Sequence, residues 1–194
     1  MTSINPFKAT DLFDINPVNL DTLTENFPLY FYFQYLIEWP SLFFKSEEIF
    51  NDNERTISGY MMGKAEGSGM EWHSHITAVT VNPIYRRLSL ASKLCVDLED
   101  FTKSNPYNVY FIDLFVKVTN LLAQNLYEKL GYSVYRRVVG YYGSSVNDVK
   151  NRNDINDDID AYDMRKSLPR DAKKQCVREN GKKHYVSPNE IEFK

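Results

Sequence analysis

An α/β fold with a mixed, mostly antiparallel sheet flanked by helices is predicted by three features of this sequence. "NVYFIDLFVKV" is an almost unbroken apolar run, the pattern of a strand covered on both faces. Helical periodicity stands on either side of it. Leu88, Leu90, Ala91, Leu94, Cys95 and Leu98 share one helix face before it, and Leu121 to Leu130 form a helix after it that stops at Gly131. Earlier in the chain, "SLFFKSEE" and "RTISGYMMGKAEG" are strand-forming runs separated by the polar turn "IFNDNE", which reads as an antiparallel pair.

The remaining elements follow in order. "DLFDINPVNLDTL" has apolar residues at helical spacing broken by Pro17, and "TENFP" separates it from the aromatic segment 29–39, so two short helices joined by a loop are expected. "EWHSHITAVTVNP" is a third strand, ended by Pro83. "YSVYRRVVGYY" begins another strand directly after Gly131, and "AYDMRKSL" is expected to be the last. Between them "NDVKNRNDINDDID" is rich in Asn and Asp, which reads as a polar insertion near residues 144–160. The expected organisation is one domain over residues 1–168 and a polar C-terminal tail over 169–194, ordered only by contact with something else.

Composition narrows the functions. With 194 residues, 43% of them hydrophobic, the chain can enclose one core. Lys and Arg total 23 against 26 Asp and Glu, so no global basic field exists to hold nucleic acid, and any anion site must be local. The two cysteines, Cys95 and Cys176, lie in no paired motif, and residues 1–15 have neither the basic start nor the apolar run of a signal peptide. A reducing, intracellular compartment is expected. No metal is expected, and no apolar stretch approaches membrane-spanning length.

Local chemistry is concentrated in "RRLSLASKL". A strand ends at Pro83, two arginines follow, and a helix begins whose first N–H groups, near Leu88 to Ala91, are placed to meet a phosphate or pyrophosphate. The glycines of a P-loop or dinucleotide fingerprint are missing, and a merely solvated helix start with surface arginines is the competing reading. On the preceding strand, alternation places His73, His75, Thr77 and Val79 on one face. A histidine there serves either structure or acid/base work. Tyr127 is one of 14 tyrosines, so core packing is its default, and Asn120 stands where it can cap the following helix.

"VTVNPIYRRLSLASKL" resembles the acetyl-CoA signature of the GCN5-related N-acetyltransferases, with Arg86, Ser89 and Ala91 at its three defining places and Ser89 where a glycine is usual. The resemblance extends through "LDTLTENFPLYFYFQYLIEWP", "YMMGKAEG", "EWHSHITAVTV", "IDLFVKVTN", "NLYEKLGYSVYRRVVGYY" and "DAYDMRKSL" to the NatB branch of amino-terminal acetyltransferases, whose catalytic subunits it is similar to from the start to Leu168. That resemblance implies acetyl transfer from acetyl-CoA to the α-amine of nascent chains beginning Met-Asp, Met-Glu, Met-Asn or Met-Gln.

It also implies roles for particular residues. Val79 and Val81, with Arg86, Arg87, Leu88, Ser89, Leu90 and Ala91, bind the cofactor, joined by Asn120 on the CoA arm. His75 serves either the peptide amine or the substrate's second side chain, directly or through a water, and His73 supports packing. Tyr127 protonates or hydrogen-bonds the CoA sulfur. Glu25, Phe27, Thr77, Tyr141 and Tyr142 enclose the peptide end; of the two adjacent tyrosines on a strand, one faces substrate, with Tyr142 favoured. The first two helices carry more apolar side chains than a small sheet can cover: Leu12, Phe13, Leu20, Leu23, Leu29, Tyr30, Phe31, Phe33, Leu36 and Ile37. The surplus points to a contact surface. The resemblance supplies its partner, a large helical-repeat auxiliary subunit forming a heterodimer that docks on the ribosome in the cytoplasm.

Overall fold

The computed structural model describes residues 1–22, 24–51, 54–143 and 155–191. Leu23, most of the expected insertion (144–154) and the last three positions lie outside the described residues. Where composition predicts one domain, the contacts divide the chain into two compact units, one of residues 1–64 and 76–107 and one of 65–75 and 108–194.

The first unit opens with β1 (Thr2–Pro6), paired antiparallel with β2 (Phe43–Asn51), which pairs antiparallel with β3 (Glu54–Glu66). β1 was not expected: "TSINP" has no apolar alternation and is held by its backbone pairing and by Asn5, which donates to Glu47 at 2.8 Å. The expected first helix shrinks to a 3-10 turn, Ala9–Phe13, and a single helical turn, α1 (Asn16–Asn19). Pro17 sits at the start of that turn, where its missing N–H costs nothing, so it opens a helix instead of breaking one. α2 (Leu29–Glu38) is the second expected helix. Its Tyr32 and Tyr35 are buried in a core with Phe7, Phe43, Tyr60 and Met62, where Phe7 stacks on Phe43 at 4.1 Å. The Tyr60 hydroxyl donates to Asn19 at 2.9 Å, and the Asn19 amide donates to the Tyr32 hydroxyl at 3.1 Å, so the buried polar ends are paired.

β4 (His73–Val81) begins in the second unit and ends in the first. Asn82 follows it; its side chain accepts from Ile84 N–H and its backbone N–H donates to Ser58, which turns the chain into α3 (Leu90–Thr102). α3 buries Leu90, Leu94, Cys95, Leu98 and Thr102, matching the periodicity in the sequence.

In the second unit β5 (Phe111–Lys117), α4 (Leu121–Lys129), β6 (Ser133–Val138), β7 (Ala161–Ser167) and β8 (Tyr185–Val186) follow in turn, with strand order β5-β7-β6-β8. All its pairs are antiparallel except β6 with β8, which makes the eight-stranded arrangement mixed and mostly antiparallel, as expected. "AYDMRKSL" is therefore not the last strand. The polar stretch from Pro169 does not wait for an outside partner either. Asp171 accepts from the Gln175 and Cys176 N–H groups and from Ser167, which knots the chain into a turn. Further on, Gly181 lies so close to Val134 that a Cβ would run into its carbonyl. β8 then adds to β6, with Val139 N–H donating to Val186 at 2.9 Å.

The strand expected to run through "VVGYY" stops at Val138. Gly140 takes a positive φ of 71° and starts a turn, so Tyr141 and Tyr142 do not alternate across a sheet. The turn is fastened by Asp160, which is fully buried, accepts the Gly140 N–H at 2.7 Å and receives two hydrogen bonds from Arg137. The end of the expected polar insertion is thus a structural anchor.

Candidate active site

In the first unit, the end of β4 and the start of α3 hold the residues assigned to a cofactor. Val79, Val81 and Ala91 are half-buried; Arg86, Arg87, Leu88 and Ser89 are exposed, and Leu90 is buried. Arg87 and Ser89 both lie in left-handed backbone, with φ of 68° and 61°. Positive φ at two residues within three positions is backbone of the kind from which anion-binding nests are built. Ser89 is the N-cap of α3 but makes no side-chain cap hydrogen bond, and the first turn contains no acidic residue. The helix start is therefore left open to an outside anion, and the residues fit a pyrophosphate. Arg86 is less available than its sequence suggests. Its guanidinium pairs with Asp21, and its Nε donates to the Val81 carbonyl at 3.3 Å, so it braces the loop against the strand end.

A non-glycine residue in left-handed backbone is disfavoured by roughly 1 kcal/mol. Ser89→Gly is therefore expected to stabilise the protein by up to about 1 kcal/mol, reduced by glycine's greater freedom in the unfolded chain. Thermal unfolding should register a rise of a few degrees at most. A lowered midpoint would mean that the serine side chain itself stabilises the loop.

The loop carrying Glu25 and Phe27 is pinned within the same unit. Thr24 and Thr80 share a hydroxyl hydrogen bond of 2.7 Å, and Asn26 donates to the Asn19 carbonyl at 2.9 Å. Phe27 is half-buried, stacks on Phe31 at 4.7 Å, and donates its N–H to the Tyr32 hydroxyl; Glu25 is exposed. Thr77 is already engaged with the Tyr35 hydroxyl at 2.6 Å.

In the second unit the structure supplies a constellation that sequence reasoning missed. Pairing β5 with β7 sets Asp113 opposite Arg165, and pairing β6 with β7 sets Arg136 opposite Asp163. His75 Nδ1 lies 2.8 Å from Asp113 Oδ1, and His73 Nε2 lies 3.5 Å from the same oxygen. Asp113 is wholly buried. Burial opposes its ionisation, but the charges of His75 and His73, the His75 hydrogen bond and Arg165 outweigh that and hold its carboxyl below the usual carboxylate range. Arg165 is braced by Asp163, which Arg136 also grips at 2.8 Å, and its guanidinium lies over the Tyr135 ring at 3.8 Å. His73 is buried and stacked on Phe111 at 4.7 Å, with Nδ1 2.6 Å from the Glu71 carbonyl. Burial works against its charge, yet Asp113 and Glu66 raise its pKa above the ordinary value, so His73 is a packed counter-charge, in line with its expected supporting role. The available signal was the lone aspartate in an otherwise apolar strand; its partners came only with the register.

Tyr127 on α4 is buried, edge-on to Tyr132 at 5.6 Å. Asn120 caps α4, its side-chain oxygen accepting from the Ala123 N–H at 3.1 Å. Tyr141 and Tyr142 are brought beside β5 by the turn. Tyr141 stacks on Phe115 at 4.6 Å and remains 37% exposed, whereas Tyr142 packs into a cluster with Val138 and Ala161 and donates to the Phe115 carbonyl. Tyr141, not Tyr142, is the more accessible of the two. Because Phe115 also lies 5.6 Å from the His75 ring, Tyr141, Phe115 and His75 form one aromatic file.

Residues 12–132 match the profile of the Acetyltransferase (GNAT) family. The chain belongs to the GNAT acetyltransferase family. This GNAT chain is also 57% identical over 196 residues to the N-terminal acetyltransferase B complex catalytic subunit NAT3 of Saccharomyces cerevisiae, covering 100% of both chains. Among solved structures it is similar to a chain of the NatB acetyltransferase complex bound to a bisubstrate inhibitor, with 60% identity, a TM-score of 0.85, and 98% of this chain and 99% of that one covered. A NatB complex bound to CoA and MES matches with 59% identity and a TM-score of 0.71, over 86% of this chain and 99% of that one. Among the described residues, no cluster of three His, Cys, Asp or Glu is arranged to hold a metal, and no helix is long and apolar enough to cross a membrane.

Proposed function

We propose that this GNAT chain is the catalytic subunit of a NatB-type enzyme, moving acetyl from acetyl-CoA to the α-amine of nascent chains that begin Met-Asp, Met-Glu, Met-Asn or Met-Gln. Similarity over the full chain to NatB catalytic subunits carries the reading. The reaction asks little of the protein. An α-amine has a pKa near ~7.7–8.0, so much of it is already neutral near pH 7.5, and what remains is to position it and accept one proton. The amine nitrogen bonds to the thioester carbonyl carbon, the C–S bond breaks, and the thiolate takes a proton.

His75 supports the proton-accepting or side-chain-reading role, since its ring is fixed by Asp113. Phe27, Glu25, Thr77 and Tyr141 are the proposed walls of the peptide end, with Tyr142 supporting Tyr141. Val79, Val81 and the Arg86–Ala91 loop are proposed to take CoA, with Arg87 the freer of the two arginines and Asn120 acting chiefly as a helix cap. The acetyltransferase domain is proposed to span residues 1–168, with 169–191 folded onto it through β8. Its proposed setting is the cytoplasm, on ribosomes, through a large helical-repeat subunit.

The reading is tested by radiolabelled acetyl transfer from the co-expressed complex to peptides beginning Met-Asp, Met-Glu, Ser or Ala. The Met-acidic peptides should be preferred by at least tenfold in kcat/KM. Equal rates on all four would overturn the specificity.

Tyr127 is proposed to protonate the departing thiolate. Tyr127→Phe keeps the ring and removes one hydroxyl, so turnover should fall about 10- to 100-fold while the acetyl-CoA KM changes little, as for an interaction stronger in the transition state. Equal turnover would leave Tyr127 as a packing residue.

A further inference from the structure

We propose that Asp113 is a positioning residue for this reaction: it fixes His75 with the proton on Nδ1 and leaves Nε2 as a lone-pair acceptor for an N–H of the peptide substrate. The inference rests on the reading of His75 as a substrate-facing residue.

Geometry carries the first half. Asp113 Oδ1 stands 2.8 Å from His75 Nδ1, a full hydrogen bond. Asp113 is buried in β5; burial opposes its ionisation, and the positive charges of His73 and Arg165 beside it favour it. An ionised carboxylate only accepts, so the hydrogen must belong to Nδ1, and a neutral imidazole protonated there has its lone pair on Nε2. Among the described residues Nε2 has no hydrogen-bond partner, and the His75 side chain retains 13% exposure, so this lone pair is reachable. His73 cannot substitute. It is fully buried, and its Nδ1 is committed to the Glu71 carbonyl.

The surroundings explain why the carboxylate does not swing away. Charged or titratable groups face it from three strands: His73 and His75 on β4, Arg165 and Asp163 on β7, and Arg136 on β6 behind Asp163. Arg165 is itself held over the Phe111 and Tyr135 rings. A buried charge network of this kind is weak as a source of stability, because desolvation offsets most of the attraction. What it provides is a fixed oxygen that sets one tautomer and one ring orientation, as a carboxylate does for a catalytic imidazole elsewhere. An acceptor at Nε2 suits a substrate N–H, whether of the α-amine or of a second-position side-chain amide.

Two measurements on the co-expressed complex decide it. The chain has three histidines, so 15N imidazole spectra of histidine-labelled complex, compared with His75→Gln, assign the His75 signals. In the neutral imidazole, Nδ1 protonated and Nε2 bare is the expected form; the opposite tautomer overturns the proposal even if no Asp113 variant folds. In kinetics, Asp113→Asn should lower kcat on a Met-Asn peptide by about 10- to 100-fold with an unchanged acetyl-CoA KM, and should cause no further loss in a His75→Ala background. The same fractional loss in both backgrounds shows a structural role and overturns it. Full activity of His75→Ala alone would overturn the reading of His75 and this role with it, whereas the wrong tautomer beside an impaired His75→Ala overturns the role of Asp113 only.

Discussion

Phe33→Asp with Ile37→Asp is expected to abolish assembly of the catalytic chain with its auxiliary subunit, and with it nearly all peptide acetylation. α2 turns Tyr32 and Tyr35 into its own core and leaves Leu29, Phe33 and Ile37, spaced four apart, exposed at 59%, 40% and 79%, beside Tyr30 at 70%. Phe13 and Leu20, earlier in the same unit, are exposed at 84% and 81%. So much apolar surface around a single helix exceeds what scattered surface residues account for. A carboxylate at the centre of such a contact must be desolvated without a partner, at a cost of about 2 kcal/mol or more for each site, which together weaken binding by well over a hundredfold. Since the replaced side chains face outward, the chain itself should still fold. Co-purification from a two-chain expression reads the result. A fully active, stoichiometric complex would show that α2 does not meet the partner.

His75→Ala should lower kcat/KM on a Met-Asp peptide by about a hundredfold, and the change in preference for that peptide over one beginning with Ser or Ala separates chemistry from side-chain reading. The imidazole combines a reachable nitrogen with a ring fixed between Asp113 and Phe115. Its removal also leaves Asp113 without its closest partner. Circular dichroism and complex formation must therefore be unchanged for the rate to be interpreted. A fall in rate with intact preference assigns His75 to chemistry alone. Full rate and full preference would return it to packing.

What was legible in the sequence was what local pattern determines. The apolar run of β5, the periodicities of α3 and α4 and the antiparallel pair β2–β3 each stand on neighbouring residues, and each appears in the structure; Asp52 and Asn53, in the expected turn, lie outside the described residues. The loop from Arg86 to Ala91 and the histidine pair pointed to the family that the comparisons then showed. Of the apolar residues expected as surplus, Phe13, Leu20, Leu29, Tyr30, Phe33 and Ile37 are exposed, while Leu12, Phe31 and Leu36 pack against the core. The rest depended on contacts distant in sequence. β1 is a short edge strand with no pattern of its own, made by pairing with β2. The C-terminal stretch is polar by composition, and the Asp171 turn and the approach of Gly181 to Val134 become visible only with β6 in place. Asp113 was embedded in an apolar run, and its meaning came from the register that sets it between His75 and Arg165. Gly140 was the local signal that the strand ends before Tyr141, and a strand pattern read straight through it concealed the turn.

Every role proposed for this site depends on the acetyl acceptor being an α-amine. That acceptor is tested most directly by tandem mass spectrometry of one peptide, beginning Met-Asp and containing an internal lysine, after incubation with the co-expressed complex and acetyl-CoA. A single acetyl group on the terminal methionine nitrogen is expected, and no product when that amine is blocked. Acetyl found on the lysine, or transfer that continues unchanged with the amine blocked, would contradict an α-amine acceptor.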